Sequence, residues 1–491
     1  MSAIASMLFV LFGAVAVVLF HADIYFPIWL SVAVLVFVSL YLLQRYRQKR
    51  LGILMILIWL VYALPFIHIP PYIWFDFNDD PLLLWGLAVN PYMVDEQVIK
   101  LTAMIGAVGG MGIALGASLN KKRIRQDLGI NPNGSKRQFR TMAVPIWLVW
   151  VAIGVALTVL SAPQETIFTA AYTESKSSLD SANFSSAWMM SYVILSFAFC
   201  DALLERQRTV KYLKMRIILA AILLVVVFFQ LLRGDRESVP WVFGLTLVYY
   251  YWAAGITQRR DYTIPWLKFV GVAFGLVGVS VVVGAIRSGL TGLSLADAGD
   301  LIGELYESGS IGVANALYGT WSAILMTPLS VAGDHIYGLL AVKWGQDYLN
   351  LFQSIIPGFL ADAIGYIRPI DGGQGPAWEM RYGLGGTHAT VVPFMNFRML
   401  GVFLVPAIWS FIMANYEKLA LQQVSTIKLS LLVTIAMASP HWLWYGEKNG
   451  FNAIILWLIL SFFYRVSLGM FRSSGVSVGL PANHGGLDVK P

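Results

Sequence analysis

Apolar runs of about 20 residues recur along this chain, and a run of that length crosses the hydrocarbon core of a bilayer as a single helix. They lie near 3–20, 26–43, 51–69, 98–118, 143–161, 187–204, 217–232, 240–256, 269–286, 391–414, 429–444 and 452–470, which predicts twelve spans. A soluble domain has no means of burying so many, and 58% hydrophobic against 12% charged residues excludes that class. The expected fold is an all-α polytopic membrane protein.

Basic residues resist translocation and collect on the cytoplasmic side, so the loops between runs set the orientation. Alternate loops are basic: Arg45, Arg47, Lys49 and Arg50; Lys121 to Arg140; Arg206 to Arg216; Arg259, Arg260 and Lys268; Lys418 and Lys428. The loops between them are acidic, with Asp76, Asp79, Asp80, Asp95 and Glu96 in one and Glu165, Glu174 and Asp180 in another. The first set, and both termini, are expected inside. The net charge of +7 therefore averages two unlike faces, which removes nucleic acid as a partner and leaves anionic lipid headgroups for the basic face. The first run lacks a basic leader and a cleavage site, so it is expected to remain as an anchor. Cys200 is the chain's only cysteine and forms no internal disulfide.

Four regions follow: a nine-span membrane region at 1–286, a large periplasmic loop at 287–390, a three-span membrane region at 391–470, and a polar, Gly-rich cytoplasmic tail at 471–491, expected to be disordered. The loop holds two semi-apolar pieces, 311–329 and 348–363, read as helices that lie on the membrane surface or re-enter it. Gly271, Gly275, Gly278 and Gly284 suit close helix packing in lipid.

Arginines on the outer side run against the sorting rule. Arg233, Arg236, Arg287, Arg368, Arg381 and Arg398 all fall there, and Arg398 lies about two helical turns into a span. Such residues face a polar cavity or an anion, and several planar forks converging on one cavity suit a phosphate or pyrophosphate. Pairing with nearby acids, or snorkelling to headgroups, is the plainer alternative. His388, in Gly385-Gly386-Thr387-His388-Ala389-Thr390, stands at the outer mouth of a span. A neutral imidazole there suits proton abstraction from a hydroxyl; equally, it suits binding a backbone carbonyl. Glu379 is a second candidate base, with Arg381 as a ready ion-pair partner. Aromatic residues around His441-Trp442-Leu443-Trp444-Tyr445 suit an interfacial belt better than sugar stacking. No His or carboxylate spacing suggests a metal, so neither metal nor cofactor is expected.

With these residues in order, the chain from about 228 to 407 resembles the O-antigen polymerase family, the Wzy-type polymerases of oligosaccharide repeat units. The motifs are Gly234-Asp235-Arg236 entering an apolar run, Ala285-Ile286-Arg287-Ser288-Gly289 before the large loop, Ile355-Ile356-Pro357-Gly358-Phe359 with Arg368-Pro369 within it, then Trp378-Glu379 and His388. Arg233 and Gly244 also fit an R-x10-G spacing associated with some members. The resemblance implies a GT-C-like glycosyltransferase of the bacterial inner membrane, active on its periplasmic face. It would join repeat units carried on polyprenyl pyrophosphate, without metal. It implies Arg236, Arg287 and Arg368, then Arg398, Arg381 and Arg233, for the pyrophosphate, with His388 as base and Glu379 beside it. Partners implied are lipid-linked oligosaccharides, membrane lipids and a chain-length regulator. An O-antigen ligase using the same donor, a transporter of polysaccharide or lipid-linked sugar, and a non-catalytic membrane subunit of an export assembly are the alternatives.

Overall fold

The computed structural model describes residues 25–68, 95–119, 141–160, 184–205, 244, 247–248, 313–354, 364–366, 387–422 and 424–469. These residues fold as α1 (Tyr25–Arg47), α2 (Ile53–Ala63) with a 3-10 turn at Pro65–His68, α3 (Glu96–Leu119), α4 (Val144–Leu160), α5 (Phe184–Glu205), α6 (Val313–Ile336), α7 (Gln346–Ser354), α8 (Val391–Gln422), α9 (Thr426–Tyr445) and α10 (Glu447–Gly469). No strand occurs among them. Every expected apolar run that falls on described residues is helical. The runs at 3–20, 217–232 and 269–286, most of 240–256, and the tail lie outside those residues. Among the described residues four helical segments are long and apolar enough to cross a membrane: Pro27–Arg47, Glu96–Leu119, Val391–Gln422 and Glu447–Gly469.

The centre is α3, packed by α1, α2, α6 and α8. Its sequence Gly-Ala-Val-Gly-Gly-Met-Gly-Ile-Ala-Leu-Gly from Gly106 to Gly116 opens a groove for α8. A Cβ at Gly112 would stand 2.2 Å from the Phe403 carbonyl oxygen, and one at Gly116 would stand 2.1 Å from that of Ala407. Helices this close in lipid require small residues at the crossing. Around the other side α5 carries α4, α9 and α10, and α9 reaches back to α2. Nearly every residue of α2 is buried, as expected of a helix apolar on all faces. Cys200 is buried within α5.

Polar ties close the bundle at its two ends. At one end Arg45 donates to the carbonyls of Ala117 and Ser118, at 3.4 and 3.2 Å, closing the end of α3 with a cation. Glu417 accepts the Leu54 N–H at 3.1 Å and so caps the start of α2. Asp201 at the end of α5 accepts from the Met142 N–H at 3.0 Å, the Thr426 hydroxyl at 3.3 Å and the Tyr464 hydroxyl. At the opposite end the Ala389 N–H bonds the Leu443 carbonyl at 2.8 Å, the Trp444 indole bonds the Val61 carbonyl at 2.8 Å, and the Tyr337 hydroxyl donates to Asp95.

Two boundaries differ from the sequence reading. The run drawn at 391–414 continues to Gln422, because Glu417 and Lys418, which end the apolar pattern, are buried against the bundle. The run drawn from 452 begins at Glu447, because Gly446, with φ of 106°, turns the chain sharply out of α9 into α10.

Candidate functional site

The end that holds Asp95 also gathers α7, the first two turns of α8 and the start of α10. Here α8 breaks. Arg398 has φ of 56° and ψ of −145°, a conformation native to glycine, so Val391–Gln422 is two helices meeting at a kink. Holding a residue that carries a side chain there costs about 1–3 kcal/mol, and such strain concentrates at functional sites. The guanidinium lies 5.5 Å from the centre of the Phe394 ring and donates through Nη2 to the Leu340 carbonyl. Its Nη1 is shut from solvent and has no hydrogen-bond partner among the described residues. Phe394 in turn meets the His335 imidazole edge-on, with centroids 5.4 Å apart. Burial, and then the charge of Arg398, hold that imidazole below its ordinary range.

A second strained residue, Trp344 with φ of 50°, leads into α7. This short helix is turned inside out. Leu349 and Phe352 are exposed, as is Trp344 at 79%, whereas Asp347 is buried at 4%. Such a pattern suits an element whose outer face meets acyl chains or the headgroup boundary. Its polar side is held by α8: Asn396 donates to Asp347 Oδ2 at 3.0 Å and to the Val392 carbonyl at 2.8 Å, and accepts the Gly345 N–H at 3.0 Å. Lys343 completes the clamp on Asp347 Oδ1 at 3.0 Å. Next in the chain, Tyr348 stacks on Phe397, with centroids 6.2 Å apart and planes inclined by 11°, and donates to Glu447 Oε1 at 3.4 Å. Burial beside Glu447 raises the Tyr348 phenol well above its usual range, so it is a donor at any physiological pH.

His388 lies apart from this junction, sealed within the bundle. A carbonyl only accepts, so Nε2, 3.3 Å from the Tyr62 oxygen, carries the proton. That leaves Nδ1 to accept from the Thr390 N–H at 3.3 Å and to meet the Thr390 hydroxyl at 3.0 Å. The ring is wedged edge-on between Tyr62 and Phe66, with centroids at 5.0 and 4.9 Å, and burial drives its pKa down. Of its two expected roles, binding a backbone carbonyl is the one this geometry displays. Both ring nitrogens are engaged, so neither offers a lone pair to a substrate hydroxyl. Arg398 is thus the expected arginine whose surroundings are visible, while Arg233, Arg236, Arg287, Arg368, Arg381 and Glu379 lie outside the described residues.

The sequence reading passed over Asp347, Asn396 and Glu447. Loop acids are usually solvated, and these two sit at helix starts beside polar neighbours. The available signal was Asn396, an amide inside an apolar run, which must find a partner when buried. Among the described residues no group of three His, Cys, Asp or Glu residues is placed to hold a metal ion.

Fold and site define a class: an all-helical, membrane-associated protein with a polar junction, strained and incompletely bonded, at one end of its bundle. No family model, curated protein or solved structure matches the chain.

Proposed function

We propose that the chain is a metal-independent glycosyltransferase that polymerises oligosaccharide repeat units carried on polyprenyl pyrophosphate. On this reading it has twelve spans in a GT-C-like arrangement, sits in the bacterial inner membrane, and works at its periplasmic face, where the junction of α7, α8 and α10 lies. The observation that carries it is the Arg398 guanidinium. A permanently charged fork, buried in part, held by strained backbone and left with an N–H unbonded among the described residues, is arranged for an anion. In glycosyl transfer from a lipid pyrophosphate, negative charge grows on the leaving phosphate, and a donor fixed in advance stabilises it most in the transition state. The outward apolar face of α7 supports a substrate delivered from within the bilayer. Arg236, Arg287 and Arg368 complete the cradle on the sequence reading.

The experiment is incubation of the purified protein with lipid-linked oligosaccharides that accumulate in source cells deleted for this chain. A ladder of products, differing by one repeat unit each, is the expected result. Transfer of a single block to a different lipid acceptor would mark a ligase, and movement across a vesicle membrane without new bonds would mark a transporter.

A further inference from the structure

Two carboxyls are buried side by side where α7 meets α8 and α10, and their bonding differs. Asp347 is saturated: Lys343 holds one oxygen and Asn396 the other, each at 3.0 Å. Glu447 is 7% exposed, and only Oε1 is bonded, to the Tyr348 hydroxyl at 3.4 Å. Its Oε2 is shut from solvent and has no hydrogen-bond partner among the described residues. An oxygen of a carboxyl sealed in this way is costly to leave unbonded, because its hydration is lost and nothing replaces it. Asp347 therefore reads as a structural clamp and Glu447 as a group with an open valence.

What would fill that valence follows from the neighbours. Lys343 is already committed to Asp347. Tyr348 links the Glu447 carboxyl to the Phe397 ring, and the next residue is Arg398, whose Nη1 is, among the described residues, the other sealed and unbonded polar atom of this junction. One short path thus joins an acceptor with a free lone pair, a pair of stacked rings and a cation with a free N–H. A molecule that bears a hydroxyl at one point and a phosphate at another meets both needs. Glu447 also begins α10, so its carboxyl lies at the positive end of the helix dipole.

We infer that Glu447 is the catalytic base: its Oε2 receives the hydrogen bond, and then the proton, of the acceptor sugar's hydroxyl. This rests on the glycosyltransferase reading. In the step, the acceptor oxygen forms a bond to the anomeric carbon of the donor glycan and its proton passes to Glu447. The bond from the anomeric carbon to the pyrophosphate oxygen breaks, its electron pair leaves with that oxygen, and the pyrophosphate departs as the lipid-linked anion beside Arg398. Tyr348 is a positioning residue, holding the carboxyl by its other oxygen.

The test uses the full chain in lipid nanodiscs, with lipid-linked oligosaccharides from the deleted cells as probe. A wild-type ladder is the precondition; its absence overturns the glycosyltransferase reading and the base with it. Given a ladder, Glu447→Gln is expected to lower kcat by roughly 10²–10⁴-fold, the usual contribution of a general base, with KM within about twofold. Glu447→Asp should recover part of that loss, since it keeps the carboxylate on a shorter arm. Wild-type kcat in Glu447→Gln overturns the base and leaves the polymerase standing, and a loss confined to KM does the same. Where Glu447→Gln does not elute as a folded species, Tyr348→Phe and Glu447→Asp decide. Each should lower kcat at least threefold, and unchanged kcat in both overturns the assignment.

Discussion

Arg398 shows how one residue can be stable in no obvious way and still be kept. Glycine suits its backbone and any other side chain strains it, so Arg398→Gly and Arg398→Ala separate conformation from chemistry. Both remove the guanidinium, and on the proposed function each is expected to lower polymerisation about 10²–10³-fold, the usual effect of deleting one transition-state donor. They should differ in stability: the Gly variant should unfold at the higher temperature, by an amount equal to about 1 kcal/mol. Equal melting of the two would remove strain from the account. His388 allows the opposite separation. As a packed imidazole bonded at both nitrogens, it should lose about 2–4 kcal/mol of stability on replacement by Ala, through a cavity and two broken bonds. A His388→Ala protein that melts like wild type yet makes no polymer would return the histidine to the chemistry. The sequence exposed Arg398 and His388 because a charge or an imidazole at the mouth of an apolar run is visible by contrast. Glu447 and Asp347 were not visible, since nothing local distinguishes a buried carboxyl from a wet one. Beyond Lys343, which stands four residues before Asp347, only Asn396 for Asp347 and Tyr348 for Glu447, each brought from another element, do so.

Helices follow the same division between what is local and what is not. The apolar runs mark where helices lie, because lipid and packed protein both demand that backbone groups bond within the segment. Their ends are set by distant residues: α8 outlasts its apolar pattern because Glu417 caps α2, some 363 residues earlier in the chain. The α3–α8 crossing was readable and was passed over in favour of Gly271 to Gly284, which lie outside the described residues; the glycines from Gly106 to Gly116 are more densely spaced. At that crossing Gly112→Ala and Gly116→Ala each put a methyl about 2 Å from a carbonyl oxygen of α8. Backbone cannot yield as a side chain can, so each is expected to cost about 1–3 kcal/mol. Thermal unfolding in detergent measures this, and a variant as stable as wild type would mean the two helices are held further apart than described.

At the scale of the whole molecule, the charge rule and the packing make one joint claim about sidedness. Arg45, Gln48 and Lys49 lie at the end closed by Asp201 and Glu417, which the basic loops assign to the cytoplasm; Trp344, Arg398 and Glu447 lie at the end that holds Asp95, which the acidic loops assign to the outside. The long apolar helices establish membrane association, but helical geometry alone is the same from either side. Cysteine chemistry resolves it, because the chain has one cysteine, and Cys200 is buried, leaving little background. A membrane-impermeant maleimide applied to spheroplasts should label Glu96→Cys, whose parent side chain is exposed beside Asp95, and should leave Gln48→Cys unlabelled until the membrane is opened. Labelling in the reverse order would turn the molecule over. The junction of Arg398 and Glu447 would then face the cytoplasm, and a polymerase working at the periplasmic face would have to be abandoned, while the bundle, its strained arginine and its unbonded carboxyl would stand unchanged and require a different substrate.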